Sequence, residues 1–273
     1  MNPEVSTAET EAAPDPTAIL RQEEGRLVPS RFAQGPWNPN HLHGGPICGA
    51  LGRAIEACES PGPMRVVRMT IEMTRAVPMA PFTARAEVTR AGRRIQQVDA
   101  FIEAGGQTLA RATALRMRVG ALDAEAAYSQ NEPVPARTES PADPVRRLRF
   151  VPGFIHSVEF LRSQLPDRDR GGVTWVRLRV PLVEDEPVSP FVRLATICDF
   201  ASGTGNALDF EHFTSINPDV SLHVLREPRG EWIGIRAWSG VASDGTGVSH
   251  ATLFDDEGVV ARALVSLLVE PRA

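Results

Sequence analysis

The sequence predicts an α+β fold made of two tandem copies of one helix-plus-antiparallel-sheet unit, residues 22–119 and 148–273. Sliding the sequence on itself by 151 positions brings Arg75 onto Arg226, Arg85-Ala86 onto Arg236-Ala237 and Ala110-Arg111-Ala112 onto Ala261-Arg262-Ala263. Alanine matches are cheap in so alanine-rich a chain, but three arginines in one gapless register are not, and fixed-offset self-similarity is the mark of a repeat. Both copies also read in the same order, a helix followed by four strands. Between them, residues 120–147 are rich in Ala, Glu, Pro and Asp and lack periodicity, which reads as a linker.

In the first copy a strand-like stretch at Gly25–Trp37 leads through the loop Asn38–Pro46 into a helix expected from about Pro46 to Cys58. Ile47, Ala50, Leu51 and Ile55 fall at helical spacing, Pro46 suits the first turn, and Glu59-Ser60-Pro61-Gly62-Pro63 stops the helix. Strands follow at Val66–Val77, Phe82–Arg90, Ile95–Glu103 and Thr108–Val119. The alternation of Val67, Met69, Ile71 and Met73 with Arg68, Thr70, Glu72 and Thr74 belongs to a sheet with one buried face. The second copy opens with strand-like runs at Phe154–Leu161 and Val173–Val180, and its helix is expected from about Pro190 to Ala201. Its strands fall at Val220–Arg226, Trp232–Val241, Gly247–Phe254 and Val259–Val269, with Asp244-Gly245 and Glu257-Gly258 at hairpin turns. Ser202–Asn206 is Gly-rich but follows a helix, so it reads as a helix stop and not as a phosphate loop. Two units side by side can continue one sheet and cover an edge that one unit leaves open.

Composition excludes several classes. Hydrophobic residues at 42% and charged residues at 23% describe a globular chain, and a net charge of −5 without a basic block gives no footprint for nucleic acid. There is no lysine, which removes Schiff-base and lysine general-base chemistry. Cys48, Cys58 and Cys198 are too scattered for a disulfide framework or a zinc site and read as thiols in a reducing compartment. No metal or cofactor is expected. No stretch reaches the ~18 apolar residues of a membrane span. Residues 1–21 are acidic and Pro/Ala-rich, an expected disordered tail without the features of a signal peptide, so the expected location is the cytoplasm. There is no G-x-S-x-G elbow.

Four segments carry a resemblance. They are His43-Gly44-Gly45-Pro46 before the first helix, Leu194-Ala195-Thr196-Ile197-Cys198-Asp199 in the second, Ser215 through His223 with Arg226, and the ending from Asp256-Glu257-Gly258 to Leu268–Arg272. With these in a doubled unit, the sequence resembles the double-hotdog acyl-CoA thioesterases, the thioesterase II-like group. The resemblance covers nearly everything after residue 22. It implies two hotdog units, each a central helix wrapped by a curved antiparallel sheet, acyl-CoA as substrate, hydrolysis of its thioester, and a homo-oligomer.

Thioester hydrolysis needs donors where the carbonyl oxygen gains charge and a group that activates water; a thiol of pKa ~8.5 leaves without much acid help. Gly44 and Gly45 stand where a helix N-terminus offers unpaired N–H groups and no Cβ obstructs, although they would equally make a tight strand-to-helix turn. His43 could bond the substrate carbonyl or only orient the loop. Asp199 is the expected base or nucleophile, since a carboxylate among Leu194, Ala195, Ile197, Cys198 and Phe200 is costly without a task or partners. In single-hotdog thioesterases of the phenylacetyl-CoA type an acid follows the histidine by nine positions; here that position is Gly52, so the first copy keeps the glycines and the second keeps the acid. These complementary losses point to one composite site. By resemblance Ser215 matches a serine that positions water, and Asn217 a threonine, while turn chemistry explains both equally. The Asp, Thr and Gln of the thioesterase II triad fall on Gly203, Asn217 and Ser266, so that triad is absent as such; Asp199 stands four residues before Gly203, and Glu56 is a weaker substitute.

Arg75, Arg111, Arg226 and Arg262 could meet CoA phosphates, with repeated structural ion pairs the first explanation. The leading reading is an acyl-CoA thioesterase. The alternative is a non-catalytic acyl-thioester binding protein with a degenerate site. A hotdog hydratase, needing an acid and a histidine paired across the tunnel, ranks last.

Overall fold

The computed structural model describes residues 15–122, 132–137 and 153–272. The chain opens with a hairpin of β1 (Leu20–Glu23) and β2 (Arg26–Pro29), turned by Glu24 and Gly25, both at positive φ, and a 3-10 turn follows at Arg31–Ala33. The first copy continues with α1 (Gly44–Glu56), β3 (Met64–Met73), β4 (Thr83–Arg90), β5 (Ile95–Ala104) and β6 (Gln107–Arg118). The second has a 3-10 turn at Phe154–Ser157, then β7 (Val158–Gln164) and β8 (Gly172–Leu178). The helices α2 (Pro190–Ile197) and α3 (Phe200–Gly205) follow, and then β9 (Phe213–Ile216), β10 (Asp219–Val224), β11 (Ile233–Val241), β12 (Thr246–Asp255) and β13 (Gly258–Pro271).

One antiparallel sheet joins the copies in the order β4-β5-β6-β3-β10-β13-β12-β11-β8-β7, with β9 also paired to β13. The seam is β3 against β10, where Thr70 faces Ser221. Across eight strands the register reads Glu87, Asp99, Thr113, Thr70, Ser221, Leu264, His250, Trp238. Each residue left of the seam stands 151 positions before its mirror image on the right. The sequence repeat is therefore a pseudo-two-fold axis through the seam.

The inner face of the sheet is apolar: Met69, Ile71, Ala112, Val220, Leu222, Ala263 and Leu253 are all buried, packed with Leu51, Ile55, Leu194 and Ile197 of the helices. This is the expected double hotdog. A register shift between Val66 and Arg68 puts Val66, and not Val67, inside. The helices α1 and α2 run antiparallel and touch closely. Gly45, Gly49 and Gly52 line the contact, and a Cβ on Gly52 would lie 3.2 Å from the Ala195 methyl.

Several boundaries differ from the sequence expectation. The helix α1 begins at Gly44 because the side chains at its start, His43 and Asp199, both face the Gly45 N–H. The expected helix Pro190–Ala201 divides at Cys198-Asp199, where an Ala201 N–H to Cys198 C=O bond of 3.0 Å tightens the turn. The Gly-rich Ser202–Asn206 belongs mostly to α3 and is no helix stop. The strand expected from Phe154 starts at Val158, since Gly153 at φ 97 turns the chain so that Phe154 N–H reaches the Gln34 carbonyl. Of the tail expected over residues 1–21, Ala18, Ile19 and Leu20 are instead buried, with Leu20 N–H on the Leu182 carbonyl; residues 1–14 lie outside the described ones. Within the expected linker, residues 132–137 cross the outer side of the second half. There Val134 packs on Val173, Trp175 and Phe254, and the Arg137 guanidinium stands 5.4 Å from the Trp232 ring.

Candidate active site

The N-terminus of α1 meets the α2–α3 junction, and this brings His43 of one copy to Asp199 of the other. His43 Nδ1 lies 3.0 Å from Asp199 Oδ2. The opposite carboxylate oxygen, Oδ1, accepts from Asn217 Nδ2 at 2.9 Å. Asp199 sits so squarely over the helix start that a Cβ on Gly44 would lie 2.6 Å from its carboxylate oxygens. Only a glycine there lets the carboxylate reach the first turn.

His43 Nδ1 is also 3.1 Å from the Gly45 N. One nitrogen cannot accept a proton from Gly45 and donate one to Asp199. Burial pushes the Asp199 carboxyl up, but the hydrogen bond and charge of His43, then Asn217 and the Gly45 N–H, outweigh it and hold the carboxyl below the ordinary carboxylate range. An ionised Asp199 requires Nδ1–H to point at it and takes a share of the Gly45 N–H. With Nδ1–H committed to the carboxylate, the other ring nitrogen, Nε2, faces away from it. Gly44 N–H has no hydrogen-bond partner among the described residues. Asn217 Oδ1 is buried and also has none.

Rings hold the imidazole. Phe154 stands 4.8 Å and Phe200 5.4 Å from it, and the two phenyl rings stack on each other at 5.3 Å. The side chain of His43 is 17% exposed against 4% for Asp199, so the imidazole and not the carboxylate is the reachable member of the pair. Phe154 had no local signal in the sequence. Its place depends on the contact of Gly153-Phe154 with Gln34, far away in the chain.

Residues 33–117 match the family model described as the acyl-CoA thioesterase N-terminal domain, and residues 129–269 the model of the acyl-CoA thioesterase C-terminal domain. The chain belongs to the acyl-CoA thioesterase family. Solved structures agree on the fold. An acyl-CoA thioesterase II (TesB2) from Mycobacterium marinum is 20% identical with a TM-score of 0.65, covering 93% of this chain and 95% of its own. A tesB protein from Mycobacterium avium subs paratuberculosis is 16% identical with a TM-score of 0.64, covering 93% and 97%. A hot dog fold protein of unknown function from Alicyclobacillus acidocaldarius is 15% identical with a TM-score of 0.66, covering 93% and 96%. No curated protein sequence matches the chain.

The other sequence candidates in this acyl-CoA thioesterase family member are placed as follows. Ser215 is buried, and its hydroxyl accepts from Asn206 Nδ2 at 3.3 Å, so its partner is the residue capping α3 and not Asp199. Of the three triad positions only Asn217 touches the carboxylate. Gly203 lies in α3, and Ser266 N–H bonds Asp219. Glu56 stands at the far end of α1, where it accepts from the Ser189 hydroxyl at 2.6 Å. Burial raises its carboxyl, the Ser189 bond working the other way.

Three of the four recurring arginines make ion pairs: Arg111 with Glu72, Arg226 with Asp255 and Arg262 with Glu132. Trp175 is buried against Phe254 on the outer side of the sheet, and Trp37 faces Phe210. Cys48 and Cys198 are free and buried, and a hydrogen bond with the Cys198 thiol, followed by burial, pushes the Cys48 thiol well up. Among the described residues no helix is long and apolar enough to cross a membrane, and no group of three or more His, Cys, Asp or Glu could hold a metal ion.

Proposed function

We propose that the chain hydrolyses acyl-CoA thioesters at this junction, with His43 as general base, Asp199 as the carboxylate that orients it, and the start of α1 as the oxyanion site. Membership of the acyl-CoA thioesterase family supports the reaction class. The observation that carries the residue assignment is the 3.0 Å contact from His43 Nδ1 to Asp199 Oδ2. A carboxylate already accepting from His43, Asn217 and Gly45 is a weak base, and it is the less exposed of the two. The reading therefore moves the base from Asp199, where the sequence suggested it, to His43 Nε2.

In this scheme water gives a proton to His43 Nε2 as its oxygen bonds to the thioester carbon. The growing oxyanion is stabilised by Gly44 N–H and the positive end of α1. Asp199 keeps Nδ1–H in place and stabilises the imidazolium. The tetrahedral intermediate then expels the CoA thiolate, breaking the C–S bond, and the proton on Nε2 passes to the sulfur. Asn217 fixes Asp199, and its buried Oδ1 can accept from the attacking water. Ser215 supports the α3 end from behind Asn206.

One observation favours the second reading, a binding protein without turnover. The Gly45 N–H, an expected oxyanion donor, is turned toward the chain's own His43 and Asp199. Thiol release from a panel of acyl-CoA chain lengths, run beside equilibrium binding of the same thioesters, tests the proposal. Turnover on at least one chain length is expected; tight binding without thiol release on any of them would give the site to the second reading.

A further inference from the structure

The two copies keep the same arginines on the outer face of the sheet but not the same carboxylates. Arg85 and Arg111 recur as Arg236 and Arg262. In the first copy Arg85 bonds Glu103 at 2.9 Å and Arg111 bonds Glu72. At the 151-residue offset, Glu72, Glu87, Asp99 and Glu103 become His223, Trp238, His250 and Phe254. Four outward acids in one copy are thus two imidazoles and two large aromatic rings in the other, around an unchanged pair of guanidiniums.

The chain itself records what that pair does. Glu132, from the segment between the copies, reaches both: one carboxylate oxygen bonds Arg262 and the other lies 3.8 Å from Arg236 Nη1. The two guanidiniums converge on one anion. Beside them lies a groove of about 590 Å³ whose lining includes His223, Arg236, Arg262, Trp238 and His250, a size suited to a small ligand. Arg262, Thr252 and Arg236 form one cross-strand row; Leu264, His250 and Trp238 form the next. Two residues along a strand separate the rows by roughly 6.8 Å, the order of the span from a phosphate across a ribose to its base. Trp238 is 41% exposed and meets His250 edge-on at 5.5 Å, which leaves indole surface open to the groove.

We propose that this groove binds a nucleoside phosphate, with the phosphate on Arg236 and Arg262 where the Glu132 carboxylate now sits, and the flat base against Trp238 and His250. Paired guanidiniums match phosphate oxygens in geometry as well as charge, and an exposed indole stacks on any base. The groove lies apart from the proposed catalytic residues, since it uses the outer face of the sheet and none of the residues at the α1–α2 junction.

Calorimetric titration of the whole chain with AMP, inorganic phosphate and adenosine tests this. AMP is expected to bind at least about tenfold more tightly than either fragment, as two sets of contacts of ~1.5 kcal/mol or more require. Arg262→Gln and Trp238→Ala, both at exposed positions, should each weaken AMP by about tenfold, the loss of one such contact. Glu132→Gln should tighten it, because a competing carboxylate has gone, an effect no merely structural role predicts. Asp199→Asn should leave AMP binding unchanged. CoA carries a phosphorylated purine too: displacement of AMP by CoA assigns the groove to the coenzyme's nucleotide end, and failure to displace assigns it to a free nucleotide. No AMP binding by Glu132→Gln at millimolar concentration overturns the proposal. So does AMP affinity that survives Arg262→Gln and Trp238→Ala, or that phosphate alone matches.

Discussion

Thr70 and Ser221 lie side by side on β3 and β10 with their hydroxyl oxygens 3.4 Å apart, and each is the other's equivalent in the repeat. The pseudo-two-fold axis passes between them. Everything the two copies share is arranged about this point, including the antiparallel contact of α1 and α2 beneath it. That contact carries His43, at the start of one helix, to Asp199, just past the end of the other.

The seam should be stabilised by its inward side chains and not by its hydroxyls. Leu222 is fully buried on β10, and Leu222→Ala is expected to cost about 2–5 kcal/mol by leaving a cavity. Ser221→Ala, which removes only a long hydroxyl contact at a half-buried position, should stay within about 0.5 kcal/mol. Denaturant midpoints of the two variants would measure the contrast.

His43→Gln is expected to lower kcat by about 10²–10⁴, the usual worth of a general base. Asp199→Asn should fall in the same range, because the amide carries no charge and its NH2 can donate to Nδ1, which favours the wrong tautomer. KM should move little in both. Undiminished kcat in Asp199→Asn, measured by thiol release, would remove Asp199 from the mechanism.

The helix contact sets a sharp difference between neighbouring glycines. A Cβ at Gly49 would run into the Thr196 hydroxyl and the Leu182 side chain, so Gly49→Ala should destabilise by about 1–3 kcal/mol through overpacking. At Gly52 the Ala195 methyl and the Phe191 ring stand 3.2 and 3.4 Å from the new atom, a tight but not impossible fit. The gain in helix propensity, up to about 1 kcal/mol, offsets much of the strain. Thermal melts should place Gly52→Ala well above Gly49→Ala.

Asp255 should make stability depend on acid. It is 1% exposed and accepts from Arg226 Nη1 at 2.6 Å, Arg226 Nη2 at 2.5 Å, and the N–H groups of Arg229 and Glu257 at 2.8 Å each. Burial raises its carboxyl, but these partners, Arg226 first, hold it below the ordinary range. A depressed folded pKa means that the unfolded chain binds the proton first, so the contribution is complete above the unfolded value and is lost as pH falls through the folded one. At pH 7 Asp255→Asn should therefore cost about 3–5 kcal/mol, as breaking a buried pair does. The gap to the parent chain should begin to narrow below about pH 4, the ordinary carboxylate value, and close as pH falls through the lower folded one. Unfolding curves at several pH values would follow it.

Much of the architecture was legible locally. The alternation Met69, Thr70, Ile71, Glu72 declared a one-sided strand because the pleat sends successive side chains to opposite faces. Pro190 marked the start of α2, since proline in a first turn has no N–H to lose. Boundaries that depend on distant partners were not legible. The helix start at Gly44 has Asp199 of the other copy beside the Gly45 N–H, and the late start of β7 needs the Gln34 carbonyl that Phe154 reaches.

By itself the sequence determined the repeat, the apolar faces and the residue types available, because a 151-residue register and short-range periodicity are properties of the chain alone. Only the tertiary structure decided which of those residues meet. His43 and Asp199 are separated by more than half the chain, and neither position indicates a bond. The antiparallel crossing of two glycine-lined helices brings them to 3.0 Å, and there the donors that share the carboxylate outweigh its burial and give it its low basicity.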